Sequence, residues 1–578
     1  MADVGSAPTS RVPWRPSDIQ VAVTVVAVGS LLIIATGVRG GDYPAQLLRA
    51  ELFDQAGFTV WNNYWYAGHP TLTYSLIGPP LMSVFGTLTV CIAASLAATA
   101  CFTSVVRAGL PEVSARWAGA VFACAALVNV VVGRVTFALG LAVGLAAVWA
   151  WHRGWLAAAV VLAFVTPLAS PVAATFLGIA AGSICCDAFW PRAGTSAEAG
   201  TGVATRLRTA GPSLAVGAAA VAPLLLMAVL FASDGGTFPF RGGHFLVSLL
   251  VMMFAWSVVP HRVVRIGLVV SALASVIVFV VPSPLGGNFM RLAQFIVVPL
   301  AVAGAVHVPS GTRRSRRAVL IGMAAFCAGW TVQHAVVSAA LWAGDPSTER
   351  AYHQPLIDEV LTRNGDGKPL GRLEIPFTAN HWEAYYVADQ VPFIRGWERQ
   401  IDHDRNGVLY EPSLTADEYR EWLLHNTVRW IALPDAPLDR GGEPEANVLT
   451  NRGDRTGPVD WLSVVWQNEH WTLYEVEDYQ PIVDAPATLL SQTPDEFIIA
   501  TTEATTVTLR YEWANGATIE LMPVGTTDET TDETTGQPCL APTDDEWISV
   551  QLPAAGTYRI QVGRDSLLPG AGTNGSCD

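Results

Sequence analysis

Asp42 stands in the stretch GDYPAQLLRAELFDQAGFTVWNNYWYAGHP, residues 41–70, directly after the first long apolar run of the chain. Carboxylates are scarce around it. The first 343 residues hold nine, and Asp42, Glu51 and Asp54 are three of these. A carboxylate at the rim of an apolar bundle can accept a proton from a hydroxyl or face a cation. Arginines supply the opposite charge: Arg134 in VVGRVTFALG lies in a hairpin with almost no loop, and Arg291 in PLGGNFMRLAQF opens an apolar run. An arginine at the hydrocarbon edge costs a few kcal/mol, on the order of 3, unless it is paired or snorkels. Guanidinium forks suit phosphate oxygens, which makes Arg134, Arg291 and Arg241 candidate phosphate ligands. Arg39 and Arg49 read equally well as snorkelling side chains. Trp61, Asn62, Trp65, Tyr66 and His69 follow within a few residues, and aromatic faces beside amides suit sugar rings as well as a membrane interface.

The local elements follow from residue types. YPAQLLRAELFDQAG reads as a short helix with Asp42 at the N-cap, Pro44 in the first turn and Gly57 as the stop. Ala45, Leu48 and Leu52 form one apolar stripe, so the helix is expected to lie flat on the membrane.

The wider chain divides by charge. Residues 1–343 carry nineteen arginines and no lysine against nine acids, a net +10, whereas residues 344–578 carry a net −25. This pattern predicts a membrane-embedded half and a soluble half. The N-terminal tail MADVGSAPTSRVPWRPSD is polar, and the first apolar run has no small-residue cleavage site, so a retained first span is expected. Eleven apolar runs read as helical spans, at about 19–38, 80–106, 117–133, 135–151, 155–169, 171–187, 213–233, 245–260, 266–282, 292–308 and 318–342. Fourteen of the nineteen arginines then fall on one side, which predicts a cytoplasmic N-terminus, a plasma-membrane location and an extracytoplasmic C-terminal half. The pair at 155–187 is short and interrupted by Pro167 and Pro171, but two crossings are needed to keep its basic flanks together.

Residues 344–484 predict an α/β domain, with strands in GRLEIPF, VRWIALP and HWTLYEVED and a helix LTADEYREWLLHN opened by a Thr415–Glu418 capping box. Residues 485–578 alternate as in a β-sandwich, with a low-complexity loop TTDETTDETT. Cys539 and Cys577 are the two cysteines of the soluble half, and an oxidising compartment predicts a disulfide between them. Asp402, His403 and Asp404 lack a second ligand cluster and read as a charged loop.

An acid in the first outer loop, just past the first span of a multi-span chain, resembles the GT-C superfamily of membrane glycosyltransferases. GD followed by GFTVWNNYWYAGHPTLTYSLIGPPL is similar to a bacterial subgroup with W-N-x-x-x-Y-x-G-x-P at this place. GRVTFALGLAVGLAA, LASPVAATFL, GGNFMRLAQF and FIRGWERQID also resemble actinobacterial members. The resemblance implies a GT-C-like fold and inverting transfer of a sugar from a polyprenyl-phosphate donor to a cell-envelope glycan or glycolipid. Asp42 would be the general base, and Arg134, Arg291 and Arg241 would hold the donor phosphate. Glu51, Asp54, Trp61, Asn62, Trp65, Tyr66 and His69 would contact acceptor or sugar. Many relatives carry a paired acidic motif where this chain has Gly41-Asp42, so a second acid would have to be Glu51 or Asp54, and a divalent cation is an open question. No nucleic acid partner is expected. A transporter or flippase of envelope precursors is the main alternative, although the spans lack internal charges and the chain has no Walker motif. Gln333 and His334 are the nearest polar pair inside a span and read as helix-packing contacts, which speaks against a transporter. A non-catalytic envelope scaffold is the third reading.

Overall fold

The computed structural model describes residues 17–71, 74–190, 203–230, 236–307, 313–450, 459–514, 517–522, 537–562 and 577. The tail before residue 17, with Arg11 and Arg15, and also Arg192 and the TTDETTDETT segment, lie outside the described residues.

A polytopic α-helical region comes first. Its helices are α1 (Asp18–Thr36), α2 (Tyr43–Ala56), α3 (Gly78–Phe85), α4 (Thr87–Gly109), α5 (Glu112–Val132), α6 (Val135–His152), α7 (Leu156–Ala169), α8 (Pro171–Phe189), α9 (Val203–Leu230), α10 (Gly242–Val258) and α11 (Arg262–Val280). The helical segments Gly286–Val306 and Arg314–Trp342 follow. Nine of these helices are long and apolar enough to cross a membrane among the described residues, and Leu156–Ala169 and Gly242–Val258 are shorter apolar helices. Each of the eleven expected runs has its helix. The run at 80–106 differs in one respect: Gly86, at φ 82°, breaks it into α3 and α4. The shortest pair, α7 and α8, is a hairpin that turns at Ser170, whose N–H donates to the Thr166 carbonyl. The bundle core is rich in alanine (Ala94, Ala98, Ala118, Ala123 and Ala126 are all buried), which lets helix backbones approach closely.

The ends of the helices define two faces. At one, Arg116 on α5 reaches Asp18 at the start of α1 at 2.8 Å. At the other, the residues after α1 are stitched to the end of α5: the Gly40 N–H donates to Val131 O at 2.9 Å and the Asp42 N–H to Val132 O at 3.0 Å. Gly133 permits this crossing, because it sits at φ 91° and any Cβ there would lie 2.5 Å from the Tyr43 nitrogen.

On that second face rests the soluble region. Strands β1 (Trp61–Asn62) and β2 (His69–Pro70) form a small hairpin in the first loop. The α/β part is a four-stranded sheet in the order β3 (Arg372–Glu374), β4 (Val428–Pro434), β6 (Trp471–Val476), β5 (Leu462–Gln467), with β3 and β4 parallel. Its helix Ala416–His425 starts with the expected Thr415–Glu418 capping box. The C-terminal part packs two antiparallel sheets. One runs β10 (Thr518–Leu521), β13 (Gly556–Gln561), β8 (Glu496–Thr501), β7 (Thr488–Gln492), and the other β11 (Cys539–Pro542), β12 (Trp547–Leu552), β9 (Thr505–Glu512). Cys539 and Cys577 form a disulfide.

The expectation for α2 needs correction. Ala45, Leu48 and Leu52 face the soluble region, not lipid, and are 2%, 0% and 3% exposed. They share a core with Trp65, Leu356, Ile357, Phe377 and Val387. A stripe of three apolar residues demands cover, but the periodicity cannot say whether lipid or protein provides it. Arg49 is likewise no snorkelling residue. It donates to Glu398 at 2.6 Å, with both side chains under 10% exposed, and its guanidinium lies 3.8 Å from the Tyr74 ring centroid. Removing one partner of a buried ion pair leaves an uncompensated charge and typically costs about 3–5 kcal/mol. Arg49→Met should therefore lower the unfolding temperature markedly in a thermal melt of the purified protein. Arg49→Met/Glu398→Met should recover most of the loss, and additive losses would show that the pair contributes little.

Candidate active site at the membrane rim

Between the helical ends and the soluble region lies a cavity of about 1140 Å³. Its membrane wall carries Asp42, Gln46, Tyr74, Arg134, Arg241, His244, Asn288, Arg291 and His334; its soluble wall carries Trp397, Glu398, Arg399, His403, Tyr410, Asp439 and Arg440.

Asp42 occupies the N-cap position of α2 but its side chain caps nothing, so the carboxylate is left to the cavity. Arg134 Nε approaches it at 3.4 Å, a loose single contact, and Arg134 Nη1 is buried without a hydrogen-bond partner among the described residues. Arg134 is placed by the tight turn between α5 and α6, where its N–H donates to the Asn129 carbonyl. Arg291 lies over the Phe137 ring at 5.0 Å. Immediately after it the helix widens into a π-helical turn, Ala293–Val297, and such turns are frequent at functional sites. Arg241, Arg291 and Arg440 form no ion pair within the described residues. Gln46, one turn beyond Asp42, keeps a buried Oε1 without a partner. The wall thus sets three arginines and a partly exposed carboxylate around one cavity.

The structure brings Asp42, Arg134, Arg241 and Arg291 together. It takes Glu51, Asp54 and the aromatic cluster elsewhere. Glu51 sits near Asp389 and Tyr385, and burial, reinforced by Asp389, raises its carboxyl. Asp54 accepts from the Ser83 hydroxyl. Neither lines the cavity. Trp61, Asn62, Trp65, Tyr66 and His69 are at most 6% exposed and form a peg driven into the soluble region. Trp61 Nε1 donates to Asn63 Oδ1 at 2.9 Å, Trp65 Nε1 to Ala384 O at 3.0 Å and the Tyr66 hydroxyl to Gly396 O at 2.6 Å. Asn62 and His69 hydrogen-bond each other at 3.1 Å. Their polar atoms are spent on folding, which is why these side chains offer nothing to a ligand.

Several lining residues carried no signal in the sequence. Asp439 and Arg440 lie in a loop after β4, and only the fold delivers them. Arg399 and Trp397 belong to FIRGWERQID, whose residue types alone assign them no chemistry. His334 is a wall residue hydrogen-bonded to Gln294 at 3.3 Å, as well as a packing contact. In the same motif Asp402 is committed to Arg395 at 2.8 Å in a fully buried pair, with Glu445 on the other side of the guanidinium at 2.5 Å. Among the described residues no three His, Cys, Asp or Glu side chains gather as metal ligands would.

No family model matches the chain, and none of the curated proteins matches it. Among solved structures it is similar to the archaeal oligosaccharyltransferase AglB from Archaeoglobus fulgidus, in complex with an inhibitory peptide and a dolichol-phosphate. The identity is 9% and the TM-score 0.39, over 72% of this chain and 69% of that one, a likeness too remote to bear on activity.

Three histidines of the soluble face and first loop are held neutral. Burial lowers His69 to about 3, His353 to about 4 and His381 to about 3. Each then gains a proton on unfolding below its ordinary value near 6.5 that the folded state refuses. The stability they contribute is fully present above about pH 6.5 and is lost as pH falls toward 3–4. Between pH 7 and pH 5 these histidines should pull the denaturant midpoint down, against buried Glu374 and Glu383, which burial raises to about 7 and which pull it up. The downward pull should be smaller in His381→Asn than in wild type, and the Asn side chain tolerates the residue's positive φ of 58°. An unchanged slope in that variant would contradict the assignment.

Proposed function

We propose that this chain is a membrane glycosyltransferase of the GT-C type. It transfers a sugar from a polyprenyl-phosphate donor to an acceptor hydroxyl of an envelope glycan or glycolipid. The observation that carries the reading is the meeting, in one cavity at the rim of the helical bundle, of an uncapped carboxylate with three arginines. A lipid phosphate would reach Arg134, Arg241 and Arg291 from the bilayer, with its sugar beside Asp42. Asp42 would take the proton of the acceptor hydroxyl as the oxygen attacks the anomeric carbon. The bond from that carbon to the phosphate oxygen breaks, inverting the centre, and the arginines stabilise the charge that develops on the departing phosphate.

The arginine bias of the loops supports an outer-face site: the basic connections lie at the helix ends away from the cavity. The soluble region would then be extracytoplasmic, in keeping with its disulfide.

Purified protein in lipid, given radiolabelled polyprenyl-phosphate sugars and envelope acceptors, should transfer from at least one donor. Asp42→Asn should lower that rate by about 10²–10⁴, the usual contribution of a general base, without weakening donor binding. Arg134→Gln should instead weaken donor binding. Donor flux across vesicles without transfer would replace this reading with a transporter.

A further inference from the structure

The soluble wall differs from the membrane wall in charge and in order. Opposite the three arginines and single aspartate, it presents Arg399 and Asp439 as a matched pair. Arg399 Nη2 lies 3.0 Å from both carboxylate oxygens, and each side chain keeps 22–23% of its surface exposed. The pair is held from behind. The Arg399 guanidinium lies 4.5 Å from the Trp397 ring centroid, and Trp397 is stacked on His381, with rings 3.2 Å and 15° apart. The Gly441 N–H donates to Asp439 Oδ1 at 2.9 Å. Burial opposes the ionised form of Asp439, but the Arg399 charge and the Gly441 N–H outweigh it and lower the carboxyl to about 2. His381 also occupies the space beside position 41, where a Cβ would lie 3.1 Å from its Nδ1, so the residue before Asp42 abuts this wall.

A fixed carboxylate at this place repels a phosphate, which the opposite wall attracts. What a neutral, preorganised pair of adjacent donor and acceptor fits is a diol: one hydroxyl donates to the carboxylate while its neighbour accepts from the remaining guanidinium N–H groups. We propose that Arg399 and Asp439 form the sugar subsite of the cavity, holding vicinal hydroxyls of a neutral glycosyl group. This rests on the glycosyltransferase reading of the same cavity and gives its soluble region the task of recognising sugar. The glycosyl group belongs either to the donor lipid or to the acceptor.

The test uses the full chain in lipid nanodiscs with three probes: polyprenyl phosphate, the same lipid carrying arabinofuranosyl, mannosyl or galactosyl groups, and the corresponding methyl glycosides. Asp439→Asn and Arg399→Lys are compared with wild type. Loss of a hydrogen bond to a charged group corresponds to about tenfold or more in affinity. Such a loss for a sugar-bearing lipid, with sugar-free lipid bound as before, supports the subsite and assigns it to the donor. Loss for a methyl glycoside alone supports it and assigns it to the acceptor. Wild-type affinity for every probe in both variants overturns it. Loss of the sugar-free lipid in both variants also overturns it, because the pair would then serve the phosphate or the fold. Asp439-dependent glycoside binding in a protein that binds no polyprenyl phosphate would retain the subsite and sink the glycosyltransferase reading.

Discussion

The structure depends on burying the first loop. Residues 43–70 leave the membrane with an apolar stripe, two tryptophans and an arginine, and none of these is stable exposed. Leu48 and Trp65 are 0% and 1% exposed because the soluble region covers them. Fully burying side chains of this kind is worth about 1.5–3 kcal/mol each. The cover must fit closely: a Cβ on Gly396 would strike the Trp65 ring, so only glycine allows that contact. The buried Arg49–Glu398 pair ties α2 to the same cover. The stretch that follows Glu398 supplies Arg399 to the cavity, and the stretch that precedes Tyr43 supplies Asp42. One packing event therefore sets both walls.

The two walls of the cavity are asymmetric in charge. The membrane wall carries excess positive charge near the bilayer, where a guanidinium needs an anion to offset its desolvation. On the soluble wall Arg399 is already oriented by a carboxylate and a tryptophan, while Arg440 beside it forms no ion pair among the described residues. A lipid phosphate linked to a neutral sugar has the same polarity along its length. Arg395, with Asp402 and Glu445, lies fully buried behind the soluble wall and donates to Gly441 O at 3.4 Å, tying the Trp397–Asp402 stretch to the Asp439–Glu445 stretch.

Much of the framework was legible in the sequence because its signals are local. Spans follow from uninterrupted apolar length, the capping box from Thr415 and Glu418, and the sandwich strands from alternation. Asp42, Arg134 and Arg291 stood out because charge at a membrane rim is costly and rare. The aromatic residues of WNNYWYAGHP were misread for a physical reason: composition shows that tryptophan and tyrosine want cover but not what covers them. Here the cover is protein, and their polar atoms are consumed by backbone carbonyls (Trp65 and Tyr66) and by neighbouring side-chain amides (Trp61 and His69). Asp439 was invisible for the opposite reason. A lone acid in a loop of an acidic domain has no local signature, and only the sheet order brings it opposite a residue nearly 400 positions away.

The most direct test is a cryo-electron microscopy map of the protein in a bilayer with polyprenyl phosphate. The account predicts phosphate density between Arg134 and Arg291, with the chain of the lipid passing into the membrane. Phosphate density at the opposite face of the bundle, or among the basic connections away from the soluble region, would contradict it.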